Sequence, residues 1–406
     1  MRRKRSSSEY YYIDQSQPVR LGRVLFDLLL VVITLSLSGG LVMAYLSTGI
    51  SPERNWIFAF FGLGAPFLYI GNILMLLVWV IRWRLWAVIP AVTLLCGIGY
   101  LGSLVQFTVG KTYDSPADED TQAIAARQKD PSRLSVLTYY VHGFTFGQEQ
   151  RSGYRHTMDS VAAYVRRLQP DVICLQEYET MQSGDVKRID SLYRDWPYRV
   201  YNFVYGGAND IGYGTALFSR FPIHESRRII FDHSANSMLC ADLLLPGGDT
   251  VRLFNNHLQS TQVDERSQSR VERLEVRGEE GPKQFMRHLG SHLKTNYRRR
   301  AVQVDTVSRM IAASPYPAIV VGDFNDTPVS YTYRKMRGDL EDTFVNAGSG
   351  YAYTYNRLFS MLRIDYIFHS PHFETLTYRS DDRPWSDHNP VFVQMKYIGS
   401  EAAGAK

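Results

Sequence analysis

Residues 318–330 read AIVVGDFNDTPVS. The apolar, β-branched run Ala318–Val321 predicts a buried strand. It stops on Gly322, and Asp323, Asn325 and Asp326 follow at once. Asp and Asn after a strand are ordinary turn chemistry. A strand that delivers polar side chains to a reaction site would read the same way. Because strand side chains alternate between faces, Asp323 and Asn325 can project together, and Gly322 lets another backbone approach closely.

Three other stretches choose between these readings. In LFNNHLQS, Asn255 and His257 share one face, and Leu253 continues that face toward a core. DVICLQEYE ends a buried run on Gln176 and Glu177, and WSDHNPV sets Asp387 beside His388 just before a last apolar run. Each motif alone has a structural explanation. Together they are four strand termini carrying groups suited to metal or proton chemistry, so a shared site is expected.

From Leu134 onward, strand-like runs recur: LSVLTYYV, DVICLQ, GTALFS, TVRLFNNHL, AIVVGD, IDYIFHS and VFVQM. Helical patterns lie between some of them, notably MDSVAAYVRRLQP and RRRAVQVDTVSRMIAAS. In the second, Val302, Val304, Val307, Met310 and Ile311 recur at helical spacing. Hairpin-length and helix-length connections together predict an α/β domain with mixed sheets. Residues 261–299 are rich in both charge signs and read as an inserted, solvated helix or two.

The ordered set LSVLTYYVHGF, DVICLQE, YGTALFSRFPI, NNHLQS, VVGDFNDTP, RIDYIF and SDHNPV resembles the endonuclease/exonuclease/phosphatase superfamily across about 134–396. The resemblance implies a four-layer α/β sandwich, two packed mixed β-sheets flanked by helices. It also implies phosphoester hydrolysis with a divalent cation, Mg²⁺ or Mn²⁺. By resemblance, Glu177 is the main metal ligand and Asp387 supports the metal or its waters. Asp323 deprotonates the attacking water, and Asn325 hydrogen-bonds that water or a phosphoryl oxygen. His257 and His388 donate to non-bridging oxygens, Asp365 pairs with His388, and Asn255 holds the phosphate or the leaving-group side. Arg300 and Gln303 resemble a helical pair of the family, although packing explains them as well. Tyr213 and Gly214 lie where a substrate could approach.

One position departs from the pattern. Where the family has Asn between a Tyr and a Val, this chain reads Tyr139-Tyr140-Val141. A phenol is a poorer magnesium ligand than an amide oxygen. Tyr140 is therefore expected to bind the phosphate in place of Asn, to fit a different substrate, or to lower activity.

Upstream, three apolar stretches are long enough to cross a bilayer, which takes roughly 20 residues as a helix. They are Val24–Leu46, Trp56–Ile81 and Leu85–Val109. Arg2, Arg3, Lys4, Arg5, Arg20 and Arg23 precede the first, and RWR at 82–84 joins the second to the third. Only Arg54 and Lys111 lie on the other side. The positive-inside rule then predicts a multi-pass protein of the cytoplasmic (inner) membrane, with a cytoplasmic N-terminus and an extracytoplasmic, periplasmic domain. A cleaved signal peptide is the alternative, but the first run is long, begins late and is followed by two more. The expected domains are an anchor over 1–110, a linker over 111–133 and a catalytic domain over 134–398.

The net charge of +5 is partly used in anchoring, so it does not argue for nucleic acid. Cys96, Cys174 and Cys240 form no metal or redox motif. The sequence thus predicts a membrane-anchored phosphodiesterase whose partners are the bilayer, through three helices, and a phosphoester from a lipid headgroup or nucleic acid. No protein partner is expected. An extracytoplasmic nuclease is the nearer alternative. A non-catalytic module that binds a phosphorylated ligand, favoured by Tyr140, is the more distant one.

Overall fold

The computed structural model describes residues 17–107, 130–147, 153–181, 185–206, 212–261 and 282–399. The basic cluster Arg2–Arg5, most of the linker and residues 262–281 of the charged insertion lie outside the described residues. In chain order the strands are β1 (Val105–Gln106), β2 (Arg133–Tyr140), β3 (Val172–Thr180), β4 (Tyr198–Gly206) and β5 (Gly212–Ser219). There follow β6 (Ile223–Ile230), β7 (Ser237–Leu244), β8 (Thr250–His257), β9 (Ala318–Asp323) and β10 (Glu341–Asp342). The last are β11 (Gly350–Tyr351), β12 (Asp365–His369), β13 (Phe373–Ser380) and β14 (Val391–Tyr397).

They form two six-stranded sheets, β13-β14-β2-β3-β5-β4 and β10-β12-β9-β8-β7-β6. Both are mixed, since β2 pairs with β3 and β8 with β9 in parallel, while their other neighbours run antiparallel. Period-two alternation builds the layers. Leu134, Val136, Val172 and Cys174 of the first sheet meet Leu253, Ile319, Val321 and Ile367 of the second in one core. On the outer face of the first sheet, Leu137, Ile173 and Leu175 pack with Val161 and Val165 of the helix Tyr154–Leu168. On the outer face of the second, Phe254, Val320 and Phe368 pack with Ala301, Val304 and Val307 of the helix Pro282–Ala312. Helix, sheet, sheet and helix are thus the four layers expected of the sequence.

The strand pattern missed β4, β6, β7 and β13; of these, β6 is an edge strand that reads IHESRRII and is exposed along nearly its whole length. Without a buried face there is no alternation to read.

The chain divides into two compact units, the described residues of 1–42 with 67–96, and those of 43–66 with 97–406. The described residues of the first unit are mostly apolar, and several of their polar side chains pair with one another. Asn72 is buried and accepts from Ser38 Oγ at 2.7 Å, while Trp79 donates to Thr34 Oγ1 at 2.8 Å. Arg82 and Arg84 both pair with Asp27.

Among the described residues, only the first of the three predicted spans is a single helix long and apolar enough to cross a membrane, within Gln17–Ser47. The second breaks between Leu63 and Ala65 into helices bent by 67°. The third divides into Leu85–Ala87, Val88–Cys96 and Ile98–Leu101 and then enters β1. Gly97, Gly99 and Gly102 interrupt that third run, as helix-weakening residues do.

The second unit therefore contains more than the sequence assigned to it. The last turn of the first helix joins it, where Ser47 Oγ donates to Val329 O at 3.0 Å. Thr327 Oγ1 donates to Gly62 O at 2.8 Å. β1 pairs with β11, and Ala352 N donates to Leu104 O at 3.1 Å. The fully buried Arg363 donates to both oxygens of Asp342, at 3.0 and 2.7 Å, and to Ser103 O at 2.9 Å.

Candidate active site

The faces that form the inter-sheet core turn polar at one end. Along β9, Ile319 and Val321 face the core, so Asp323 continues that face. Along β8, Leu253 is followed by Asn255 and His257, and along β3, Cys174 by Gln176. Along β2, Val136 is followed by Thr138 and Tyr140. Strand register aligns these ends, since His257 and Asp365 are the two cross-strand partners of Asp323.

Gly322 makes this alignment possible. Its φ is +123°, and a Cβ there would lie 2.0 Å from the carbonyl oxygen of Asn256. Gly322→Ala is expected to cost about 3 kcal/mol of stability through backbone strain and overpacking. A lowered thermal unfolding midpoint of the full chain would report it, and an unchanged midpoint would contradict it.

Asp323 is buried and held from one side, accepting from Asn325 N at 2.8 Å and Asn325 Nδ2 at 2.7 Å. Asn325 has φ +55° and also donates to Leu258 O at 2.9 Å, so it orients the carboxylate. Burial first, and the neighbouring Asp365, push the Asp323 carboxyl well up, against the opposing charge of His388. His388 Nδ1 lies 2.9 Å from Asp365 Oδ2. Burial alone would depress this imidazole, but the charge and hydrogen bond of Asp365 push it up to about 9. His257 is instead depressed, by burial and by the His388 charge, although Glu177 opposes the shift. The site thus holds one cationic and one neutral imidazole near pH 7.

Glu177 would face away from the core if β3 were regular. A bulge between Leu175 and Tyr178 and a left-handed φ of +48° at Glu177 turn it inward. Its Oε1 lies 4.0 Å from His257 Nε2. The hydroxyls of Tyr140 and Tyr213 lie close to this carboxylate, and burial together with its charge pushes both phenols well up. Tyr140 stacks on His388 at 4.2 Å between ring centroids and meets His257 edge-on at 5.7 Å.

The geometry corrects the role expected of Asn255. It is fully buried, donates to Leu175 O and Ala216 O, and accepts from Gln176 Nε2 at 2.7 Å. Its amide ties one sheet to the other beneath the site and offers nothing to a phosphate. Gly214 is likewise a packing position, because a Cβ there would lie 1.9 Å from Asn202 O. Arg300 donates to Gln259 O and Thr261 Oγ1, and Gln303 accepts from Gln259 N. That pair supports the segment after His257 from behind.

One residue escaped the sequence reading. His142 Nδ1 lies 3.2 Å from Asp387 Oδ1 and 5.8 Å, centroid to centroid, from Tyr140. It is brought there by left-handed φ values at His142, Gly143 and Phe144 in succession. Gly143 was the one local hint of such a turn. Burial opposes ionisation of Asp387, but the His142 hydrogen bond and the His388 charge hold its carboxyl below the usual range.

The donor set fits a hard divalent cation. Asp323, Asp365 and His388 gather acid and base atoms within 4.8 Å of one another, but His388 is charged and bound to Asp365, so Glu177 and Asp387 are the carboxylates that would be left for a cation. Asp365 Oδ1 and His257 Nδ1 are buried with no hydrogen-bond partner among the described residues. Carboxylate oxygens are the ligands Mg²⁺ and Mn²⁺ favour.

Residues 141–388 match the Endonuclease/Exonuclease/phosphatase family. The chain belongs to this family. It is a metal-dependent hydrolase of phosphoester bonds. Residues 27–104 match a second family, described as a domain of unknown function. Similar solved structures include an endonuclease/exonuclease/phosphatase from Beutenbergia cavernae, 18% identical, covering 66% of this chain and 72% of that one with a TM-score of 0.49. A humanized D. rerio TDP2 is 18% identical, covering 65% and 99% of the two chains with a TM-score of 0.45. The human Nocturnin catalytic domain, with bound sulfate, is 17% identical, covering 66% and 94% with a TM-score of 0.45. No curated protein matches the chain.

Proposed function

We propose that this family member is a membrane-anchored phosphodiesterase that hydrolyses phospholipid headgroups from an extracytoplasmic active site. The chemistry rests on one observation, the convergence of Asp323, Asp365 and His388 beside His257 and Glu177. In this reading Asp323, aimed by Asn325, accepts the proton of the attacking water. His388, kept charged and oriented by Asp365, donates to a non-bridging phosphoryl oxygen as negative charge builds. His257, neutral, donates from the opposite side through its N–H. Glu177 and Asp387 would hold a Mg²⁺ or Mn²⁺ ion, which supplies charge neutralisation at the phosphoryl group when bound.

Tyr140 takes a different part from the Asn it replaces. Its ring stacks on His388, and its hydroxyl lies near Glu177, where it would steady that carboxylate. Tyr140→Phe keeps the ring and removes the hydroxyl, so turnover at limiting Mg²⁺ is expected to fall about 10–100-fold, as for other groups that orient a ligand. Raising Mg²⁺ should restore much of it. A loss that no metal concentration relieves would place Tyr140 on the substrate instead.

The membrane reading is supported by how the chain partitions. Three crossings would put 43–66 and everything after residue 96 on one side of the bilayer, and these are the segments that share a compact unit. The basic RWR link and the N-terminal arginines would share the other side. Tethering raises encounter with headgroups in the same bilayer, which favours a lipid substrate.

The test uses the full chain in detergent, because residues 43–66 and 97–107 are part of the catalytic unit. Bis-p-nitrophenyl phosphate, a choline-headed phospholipid in vesicles and plasmid DNA are offered with Mg²⁺ or Mn²⁺. Metal-dependent release lost in His257→Ala and greatest on vesicles is the expected result. Preference for DNA would make the protein an extracytoplasmic nuclease. Binding of phosphorylated ligands without turnover would leave a non-catalytic module.

A further inference from the structure

Residues 350–364 connect the catalytic groups to the segments that adjoin the apolar helices. On one side Asn356 N donates to Asp387 O at 2.8 Å, Asn389 N donates to Thr354 O at 2.6 Å, and the Tyr355 ring lies 5.1 Å from His388. On the other, β11 pairs with β1, and Leu63 packs against Tyr355, Leu362 and Ile364. Between these anchors the chain makes a tight turn at Leu358–Ser360, with left-handed φ at Phe359 and Ser360. Phe359 is 88% exposed, and Phe107, directly after β1, is 85% exposed. Arg357 is exposed as well and lies over the Phe146 ring, which itself adjoins His142.

A single exposed apolar side chain is ordinary, but Phe359 and Phe107 are both almost wholly exposed, one in a turn tied to the active-site rim and the other directly after β1, and together they offer apolar surface that a partner phase can cover. The covering surface must adjoin both the active-site rim and the end of the apolar helix Gln17–Ser47, whose last turn lies in this same unit. A bilayer meets that requirement without a further molecule. Aromatic rings beside arginine also suit the boundary between headgroups and acyl chains. Basic side chains flank the residues just after that helix, since Arg298 Nη2 donates to Glu53 O and Arg334 lies beside Gly49. They are placed to meet anionic headgroups.

We propose that the Arg357–Ser360 turn, together with Phe107, seats the catalytic unit on the headgroup–acyl boundary of the bilayer that holds its anchor, with Phe359 inserted below the phosphates. This rests on the membrane-anchored reading above and deepens it. The active-site rim then opens at the depth of a phospholipid phosphate, so the substrate reaches the site without leaving the membrane.

The test places a nitroxide on Phe359→Cys in a Cys96→Ala background. Cys174 and Cys240 are buried, and burial raises both thiols, so they do not compete for label. Asp249→Cys, in the exposed turn before β8, is the control. The full chain is reconstituted in phosphatidylethanolamine/phosphatidylglycerol vesicles, and relaxation by oxygen is compared with relaxation by a water-soluble nickel chelate. Oxygen should dominate at 359 and nickel at 249. Nickel dominance at both positions overturns the proposal, as does a label at 359 shielded from both reagents, which would mean a protein partner or a second copy. The outcome is separable from the substrate reading. An inserted label on an enzyme that hydrolyses only soluble diesters keeps the surface and removes the lipid substrate.

Discussion

Asp323→Asn is expected to lower metal-dependent phosphodiester turnover by about 10³-fold, the loss of a general base held in place. The substitution is nearly isosteric, and its remaining oxygen can still accept from Asn325 N, so the strand end should survive. What disappears is the proton acceptor, together with one negative charge beside His388 and Asp365. Two measurements separate these losses. Circular dichroism and the unfolding midpoint should stay near those of the native chain, while turnover with bis-p-nitrophenyl phosphate collapses at saturating Mg²⁺. Turnover within tenfold of the native value would remove Asp323 from the proton-transfer step and direct attention to His257.

The second large effect concerns stability. Arg363 and Asp342 are each about 1% exposed and make a two-pronged pair. Arg363 also lies over the rings of Phe344 and Tyr366, at 4.8 and 4.7 Å. Removing one member of a buried pair strands the other charge without solvent, so Arg363→Ala should cost about 3–5 kcal/mol. The same guanidinium holds Ser103 O, so the loss should also free residues 103–107 from the catalytic unit. Faster amide exchange in that segment, with a lowered unfolding midpoint, is the expected signature. Arg363→Met combined with Asp342→Leu should recover much of the midpoint, because no buried charge is then left unpaired. If the single variant unfolds no earlier than the native chain, the pair is not what closes this part of the fold.

These two residues differ in how far the sequence revealed them. Asp323 stood out because an apolar run stopped on it, and period-two alternation said which face it shared. Arg363 sits in MLRIDYIF, where nothing local says that it will be buried against Asp342. The alternation in β2, β3, β8 and β9 was legible because both faces of each strand meet a core, so apolar residues mark the register until the polar end begins. The edge strand β6, with no such faces, carried no mark.

Alternation gives the face of a side chain but not what stands opposite. Asn255 and His257 share a face of β8, yet one is consumed in bridging the sheets and the other reaches the site, because Asn255 lies against Leu175 and Ala216 of the first sheet whereas His257, two residues on, faces Glu177. Glu177 was identified by resemblance, while its inward aim depends on a bulge and a left-handed residue that no periodicity encodes. His142 went unread for the same reason, since it reaches Asp387 only through consecutive left-handed residues.

By itself the sequence determined the apolar first helix, the paired sheets and most of the polar strand ends, because each follows from local period and composition. Tertiary structure alone decided the rest. It set the inward aim of Glu177, the stacking of Tyr140, and the merging of residues 43–66 and 97–107 into the catalytic unit. Those outcomes depend on contacts between residues far apart in the chain, where burial and charge pairing, rather than any local propensity, select the partner.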